Sequence, residues 1–130
     1  MSTPAENVVA RFFAALEAGD FATVEALYHP DAVMWLNDGT ERGVAGTLAV
    51  LQGLHAVVDG FRYEVARRHV VDGGVVQQHA LCGRLPDGTE VRMPAAMYLE
   101  IADGRVRRIE EYLDSAHAAP IRAARGALAS

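Results

Sequence analysis

The stretch Glu90-Val91-Arg92-Met93-Pro94-Ala95-Ala96-Met97-Tyr98-Leu99-Glu100-Ile101-Ala102-Asp103-Gly104-Arg105-Val106-Arg107-Arg108-Ile109-Glu110-Glu111-Tyr112-Leu113-Asp114 decides the fold. Strand side chains alternate faces with period two. Over 90–102 this puts Val91, Met93, Ala95, Met97, Leu99 and Ile101 on one face, and Arg92, Pro94, Tyr98 and Glu100 on the other. Asp103-Gly104 is the residue pair a tight hairpin turn needs, so 105–114 returns antiparallel. On that returning strand Glu111 shares its face with Ile109 and Leu113, whereas Glu110 shares the other with Arg108 and Tyr112. A carboxylate on an aliphatic face is desolvated. Desolvation raises its pKa toward the range useful for proton transfer.

Upstream, Asp72-Gly73-Gly74 and Pro86-Asp87-Gly88 are further turn signals, bounding strands 62–71 and 75–85. The second of these is ambiguous. Val76, Gln78, Ala80 and Cys82 form one face and Val75, Gln77, His79 and Leu81 the other, and both are mixed.

The N-terminal half has helical periodicity. Thr3, Pro4 and Glu6 make a capping box ahead of Val8, Val9, Phe12, Phe13 and Leu16, and Gly19 stops the helix. Asp20 caps a second, short helix through Phe21, Val24, Leu27 and Tyr28, ended by Pro30. Residues 32–37 read as a strand closed by Asp38-Gly39. A third helix is expected over 44–58, with Leu51, Leu54 and Val58 on one stripe, although Gly46 and Gly53 each weaken it by roughly 1 kcal/mol relative to alanine. The alanine- and arginine-rich tail from Ala116 reads as a weak helix or a frayed end. Helices first and then an antiparallel meander give an α+β fold over 1–130, a single domain. Three N-terminal helices cover one face of a curved, cone-shaped sheet and enclose a pocket.

Composition sets the outer limits. At 130 residues, 51% hydrophobic and 22% charged, the chain reads as an ordinary globular protein. A net charge of −5, with no basic run beyond Arg67-Arg68 and Arg107-Arg108, argues against nucleic acid. All twelve basic residues are arginines, which removes a lysine Schiff base. The lone Cys82 excludes an internal disulfide. No signal-peptide pattern or membrane-spanning run is present, so a cytoplasmic protein without membrane association is expected. His69 lies near His79 if the Gly73-Gly74 turn pairs their two strands, but no third ligand presents itself and no metal site is expected. No cofactor-binding motif occurs.

The segments Phe12-Phe13-Ala14-Ala15-Leu16-Glu17-Ala18-Gly19-Asp20, Leu27-Tyr28-His29-Pro30-Asp31-Ala32-Val33 and Asp103-Gly104-Arg105-Val106, with Glu111-Tyr112-Leu113-Asp114, resemble the nuclear-transport-factor-2-like superfamily. It includes ketosteroid isomerases, SnoaL-like polyketide cyclases and limonene-epoxide hydrolases. The resemblance implies a cone fold and a homodimer through the outer sheet face, where Tyr98 suits an interface. Where a ketosteroid isomerase carries its tyrosine and two aspartates, this sequence has Phe12, Leu36 and Met97 with Ala96 beside it, so that chemistry is not implied. Where an epoxide hydrolase holds its water, the tyrosine and asparagine positions look like Trp35 and Asn37. The arginine and first aspartate fall near Ala80 and Cys82, or, one residue shifted, on His79 and Leu81. Glu111 matches the acid/base aspartate of a SnoaL-like cyclase.

These readings make Glu111, Asn37 and His79 the catalytic candidates. Trp35, Gln78, Leu51, Leu54, Val58, Met97 and Leu113 are the candidates for contacting substrate. The expected function is cofactor-independent acid/base chemistry on a small hydrophobic molecule: cyclisation, isomerisation, dehydration or hydrolysis. The alternative is a non-catalytic module binding an apolar ligand or a protein.

Overall fold

The computed structural model describes residues 3–129. Its elements are α1 (Pro4–Ala18), α2 (Phe21–Leu27), β1 (Tyr28–Leu36), β2 (Glu41–Arg42), α3 (Val44–Val57), β3 (Asp59–Val71), β4 (Gly74–Arg84), β5 (Glu90–Ala102), β6 (Arg105–Leu113) and α4 (Ser115–Ala129). One curved, unclosed six-stranded sheet runs in the order β2-β1-β6-β5-β4-β3. Every pairing is antiparallel except β1 with β6, which is parallel. That parallel pair departs from an all-antiparallel sheet. The crossover from β1 through α3 and three long strands lets the chain return alongside its own first strand in the same direction.

The local signals act as their chemistry requires. The Thr3 hydroxyl accepts from the Glu6 N–H at 3.1 Å, closing the capping box. Asp20 accepts from the Thr23 N–H at 3.2 Å and starts α2. Asp103 (φ 55°) and Gly104 (φ 71°) both take the left-handed conformation demanded by the tight β5–β6 turn. Tyr28 leaves the second helix and opens β1 instead. Pro30 follows it and lacks an N–H for the ladder, and the register with β6 breaks between Tyr28 and Val33.

The inner face of β5 is the one its alternation dictates. Met97 is buried, Leu99 wholly so, while Arg92 and Pro94 are exposed. In β6 a bulge opposite Glu100/Ile101 resets the alternation, so Val106 and Ile109 both reach the core and Arg107 stays outside. Gly74 sits where β4 crosses β5. A Cβ there would collide with the Leu99 carbonyl. Gly74→Ala is expected to cost about 1–3 kcal/mol, as overpacking does, read as a lower urea midpoint; an unchanged midpoint would show that the strands part easily.

The tail resolves in favour of a helix, a fourth beyond the three at the N-terminus. α4 carries Pro120 internally, yet Ile121 is only 1% exposed and anchors it in the core against the side of α3. Among the described residues no helix is long and apolar enough to cross a membrane.

Candidate functional site

The concave face of the sheet, α1, α3 and α4 surround a cavity of about 280 Å³. Glu111 is part of its lining. On the strands either side it pairs with Leu36 of β1 and Met97 of β5, and along its own strand Ile109 and Leu113 share its face. Four apolar neighbours therefore frame the carboxylate. It is half-buried by accessible surface only because the cavity reaches it. Among the described residues the carboxylate has no hydrogen-bond or ion-pair partner. The arginines within sequence reach are taken: Arg108 pairs with Glu110 at 2.8 Å, and Arg84 with Glu90 at 3.5 Å. Desolvation pushes the Glu111 pKa up to about 7.

The same cross-sheet row continues from Met97 to Gln77 on β4 and Arg68 on β3. Bulges at the Val65/Arg67 step shift β3 so that Arg68 turns inward. Arg68 Nε–H donates to Gln77 Oε1 at 2.6 Å, and Gln77 Nε2 contacts His79 Nδ1 at 2.7 Å. Arginine only donates, so the carbonyl end of Gln77 must face it and the amide N–H must face His79. Nδ1 therefore accepts, and a neutral imidazole in this setting carries its proton on Nε2. His79 is 5% exposed and lines the cavity, edge-on to Phe13 and Tyr63. Burial, with the Arg68 charge nearby, holds its pKa down to about 4. His79 is thus a neutral hydrogen-bond donor rather than a base at pH 7.

Tyr28 and Tyr63 complete the polar lining. Neither hydroxyl has a hydrogen-bond partner among the described residues. Burial first, and then the Glu111 charge, drive both phenol pKa values upward, so both remain protonated donors. Thr47, also in the lining, has a buried hydroxyl without a partner. No three His, Cys, Asp or Glu side chains converge on a metal-sized space among the described residues. A second, more open depression of about 550 Å³ between α2 and α3 is lined by Glu25 and Arg105 but holds neither Glu111 nor His79.

Of the sequence candidates, Glu111, His79, Asn37, Trp35, Leu51, Leu54, Met97 and Leu113 line this cavity. Gln78 does not. It is exposed on the outer face, because the register places Gln77 and His79 inward; the buried glutamine is Gln77, 0% exposed. Of the two alternative pairs on β4, His79 and Leu81 line the cavity and Ala80 and Cys82 do not. Val58 is buried at the end of α3 outside the cavity lining, because the helix ends at Val57 and the chain turns away. Trp35 borders the cavity, but it pairs with Glu110 and its ring meets Tyr112, exposed on the outer side, edge-on at 5.3 Å. The inward residues of β1 are its neighbours Met34 and Leu36. Asn37 is committed to structure. Its Nδ2 donates to the Leu113 carbonyl at 3.1 Å and its Oδ1 accepts from the Leu113 N–H at 3.4 Å, so it clips β1 to β6. The Asp38 carboxylate, not Asn37, caps the following turn by accepting from the Thr40 N–H. Sequence reasoning missed Arg68, Gln77, Tyr28 and Tyr63. The usable signal was the parity of Phe61 with Tyr63 and of Gln77 with His79.

Residues 9–109 match the SnoaL-like domain family, more than half of the chain. The chain belongs to this family. The SnoaL-like domain shares its fold with an LEH-like epoxide hydrolase of M. tuberculosis: 24% identity, 92% of this chain and 90% of that one covered, TM-score 0.76. It is also similar to IdmH, a candidate polyketide cyclase from Streptomyces antibioticus (22% identity, 94% and 99% covered, TM-score 0.79). AclR, a candidate hydroxylase from Streptomyces galilaeus, aligns at 16% identity over 90% and 94%, TM-score 0.78. No curated protein sequence matches it. At these identities the SnoaL-like domain shares a fold with its neighbours, and fold alone does not carry chemistry across.

Proposed function

We propose that this SnoaL-like domain is a cofactor-independent acid/base catalyst acting on a small hydrophobic molecule. The observation that carries the reading is Glu111: a partnerless carboxylate in an apolar frame, facing a cavity, with its pKa raised to about 7. Such a group is ionised and protonated in comparable amounts near neutrality, so it takes a proton at one atom and returns it at another. His79 Nε2–H, with the phenols of Tyr28 and Tyr63, is the donor set for an oxygen on which negative charge develops. Proton abstraction beside a carbonyl is the reaction class that uses both halves. The C–H electron pair moves into the enolate, Glu111 holds the proton, and reprotonation or carbon–carbon bond formation completes isomerisation or cyclisation. A positioned base contributes about 10²–10⁴-fold and an oxyanion donor about 10²–10³-fold.

The test needs no natural substrate. Small cyclic ketones, β-diketones and α,β-unsaturated ketones are incubated with the protein in D₂O and followed by NMR. Exchange of the proton next to the carbonyl is expected to exceed buffer for at least one class and to vanish in Glu111→Gln. Binding without exchange across the whole panel would hand the cavity to the second reading, a ligand-binding module. That reading is favoured by Leu36 and Met97 standing where ketosteroid isomerases carry their acids.

A further inference from the structure

The cavity has an apolar body and a cationic mouth. Arg42 of β2 and Arg122 and Arg125 of α4 line its opening, while the carboxylates there are Asp38 at the rim and Glu111 within. Elsewhere five arginines find acids, as in Arg92–Glu64 at 2.8 Å and Arg62–Glu64 at 3.1 Å, while Arg11, Arg67, Arg68 and Arg105 have no carboxylate partner among the described residues. Among the described residues, none of the three mouth arginines has a carboxylate within 4.0 Å. Arg122 reaches only the Ser115 carbonyl, at 3.3 Å. Asp38 accepts from the Thr40 N–H at 2.8 Å, and these Thr40 bonds, more than Arg42, hold its carboxyl below the usual range.

Arg125 has a seat made for it. Its guanidinium lies over Gly53 of α3, where a Cβ would come within 2.6 Å of Nε and 2.7 Å of Nη2. Glycine inside a helix costs roughly 1 kcal/mol relative to alanine, and here its bare surface lets a half-buried guanidinium lie against the helix at the cavity's edge. A guanidinium so placed presents a planar fork of donors, the geometry that receives a carboxylate with two parallel hydrogen bonds.

We infer that the ligand of this cavity is a small amphipathic organic acid, its apolar body enclosed beside Glu111 and its carboxylate held at the mouth by Arg125, flanked by Arg122 and Arg42. This rests on the reading of the cavity as a site for a small hydrophobic molecule and adds the charged end.

The experiment compares matched pairs by titration calorimetry: 4-phenylbutyric acid, octanoic acid and 3-cyclohexylpropionic acid, each against its primary amide. Measurements at pH 6, below the value of about 7 to which Glu111 is raised, keep that carboxyl mostly neutral while the ligand acid is ionised. The acid of at least one pair is expected to bind about tenfold or more tighter than its amide, a difference of 1.4 kcal/mol. Arg125→Gln should reduce that ratio to below about threefold and leave the amide's affinity unchanged. Gly53→Ala keeps the guanidinium but fills its seat, and should also shrink the ratio while the protein melts no earlier. Equal binding of acid and amide by the unmodified protein overturns the inference and leaves the hydrophobic-cavity reading standing. A preference for acids that survives Arg125→Gln also overturns it. Absence of binding by every acid and every amide overturns both.

Discussion

Glu111→Gln is expected to be about 3 kcal/mol more stable than the unmodified protein at pH 8 and no more stable at pH 4. The folded pKa of Glu111 is raised to about 7 from 4.5. Below pH 4.5 the group is protonated both folded and unfolded and nothing is lost. Between 4.5 and 7 the unfolded chain releases the proton while the folded one keeps it, so stability falls as pH rises, by about 1.4 kcal/mol per pH unit. His79 works in the opposite direction. Its folded pKa of about 4 lies below the ordinary 6.5, so its contribution is complete above 6.5 and is lost as pH falls toward 4. Between pH 4.5 and 6.5 the two slopes cancel. From these two groups the unmodified protein should be nearly flat between pH 4 and 8. Glu111→Gln, left with His79 alone, should lose about 3 kcal/mol on acidification from 6.5 to 4. Urea titrations at pH 4, 5.5 and 8 read this directly. Equal stabilities of the two proteins at pH 8 would show that Glu111 is not held protonated by its surroundings and would remove the basis for its role. If the role is right, the same substitution removes the base, and turnover of any substrate falls by at least about 10²-fold while the fold is retained.

Gln77→Glu should invert the chemistry of His79. In the unmodified protein the chain Arg68–Gln77–His79 leaves Nδ1 accepting and Nε2 protonated. A glutamate at 77 still accepts from Arg68, but its second oxygen can only accept, so it draws the proton of His79 to Nδ1. The neutral ring then offers a lone pair at Nε2 instead of a donor. The nearby carboxylate favours the imidazolium, and the titration midpoint should climb from about 4 past the ordinary 6.5. Imidazole ¹⁵N NMR separates these states without any substrate. Nδ1 should read as unprotonated at pH 7 in the unmodified protein and as protonated in Gln77→Glu. A protonated Nδ1 in the unmodified protein would sink the relay. Gln77→Leu supplies the complementary measurement. It strands the buried His79 and the partly exposed Arg68 and should cost about 2–4 kcal/mol, since an unsatisfied buried group costs about 1–3 kcal/mol and a partly exposed one less.

The candidate site was legible where a single strand sufficed. Glu111 is placed inward by its parity with Ile109 and Leu113, and nothing beyond residues 109–113 is needed to see it. Gln77 and Gln78 show the opposite case. Both faces of β4 mix polar and apolar side chains, and a slip of one residue exchanges them. Only pairing with β5, which sets Gln77 against Met97 and His79 against Ala95, chooses the inner one. Trp35 against Leu36 turned on the same one-residue question, settled by the parallel pairing of Leu36 with Glu111. Val58 was on a plausible face, but the end of α3 at Val57 takes it out of the lining, whereas Asn37 stays in the lining with its side chain bonded to the Leu113 backbone.

By itself the sequence determined the two capped N-terminal helices, the hairpin turns with their Asp-Gly and Gly-Gly pairs, the inner face of β5 and the inward carboxylate. All of these depend on interactions within a few residues, where dihedral preferences and side-chain period act alone. Only the tertiary structure decided the bulge that turns Arg68 inward, the relay through Gln77 that sets the proton on His79, and the docking of α4 through Ile121 that brings Arg125 onto Gly53. These join residues far apart in the chain. Their free energy comes from cross-strand register and burial, which no local window of sequence contains.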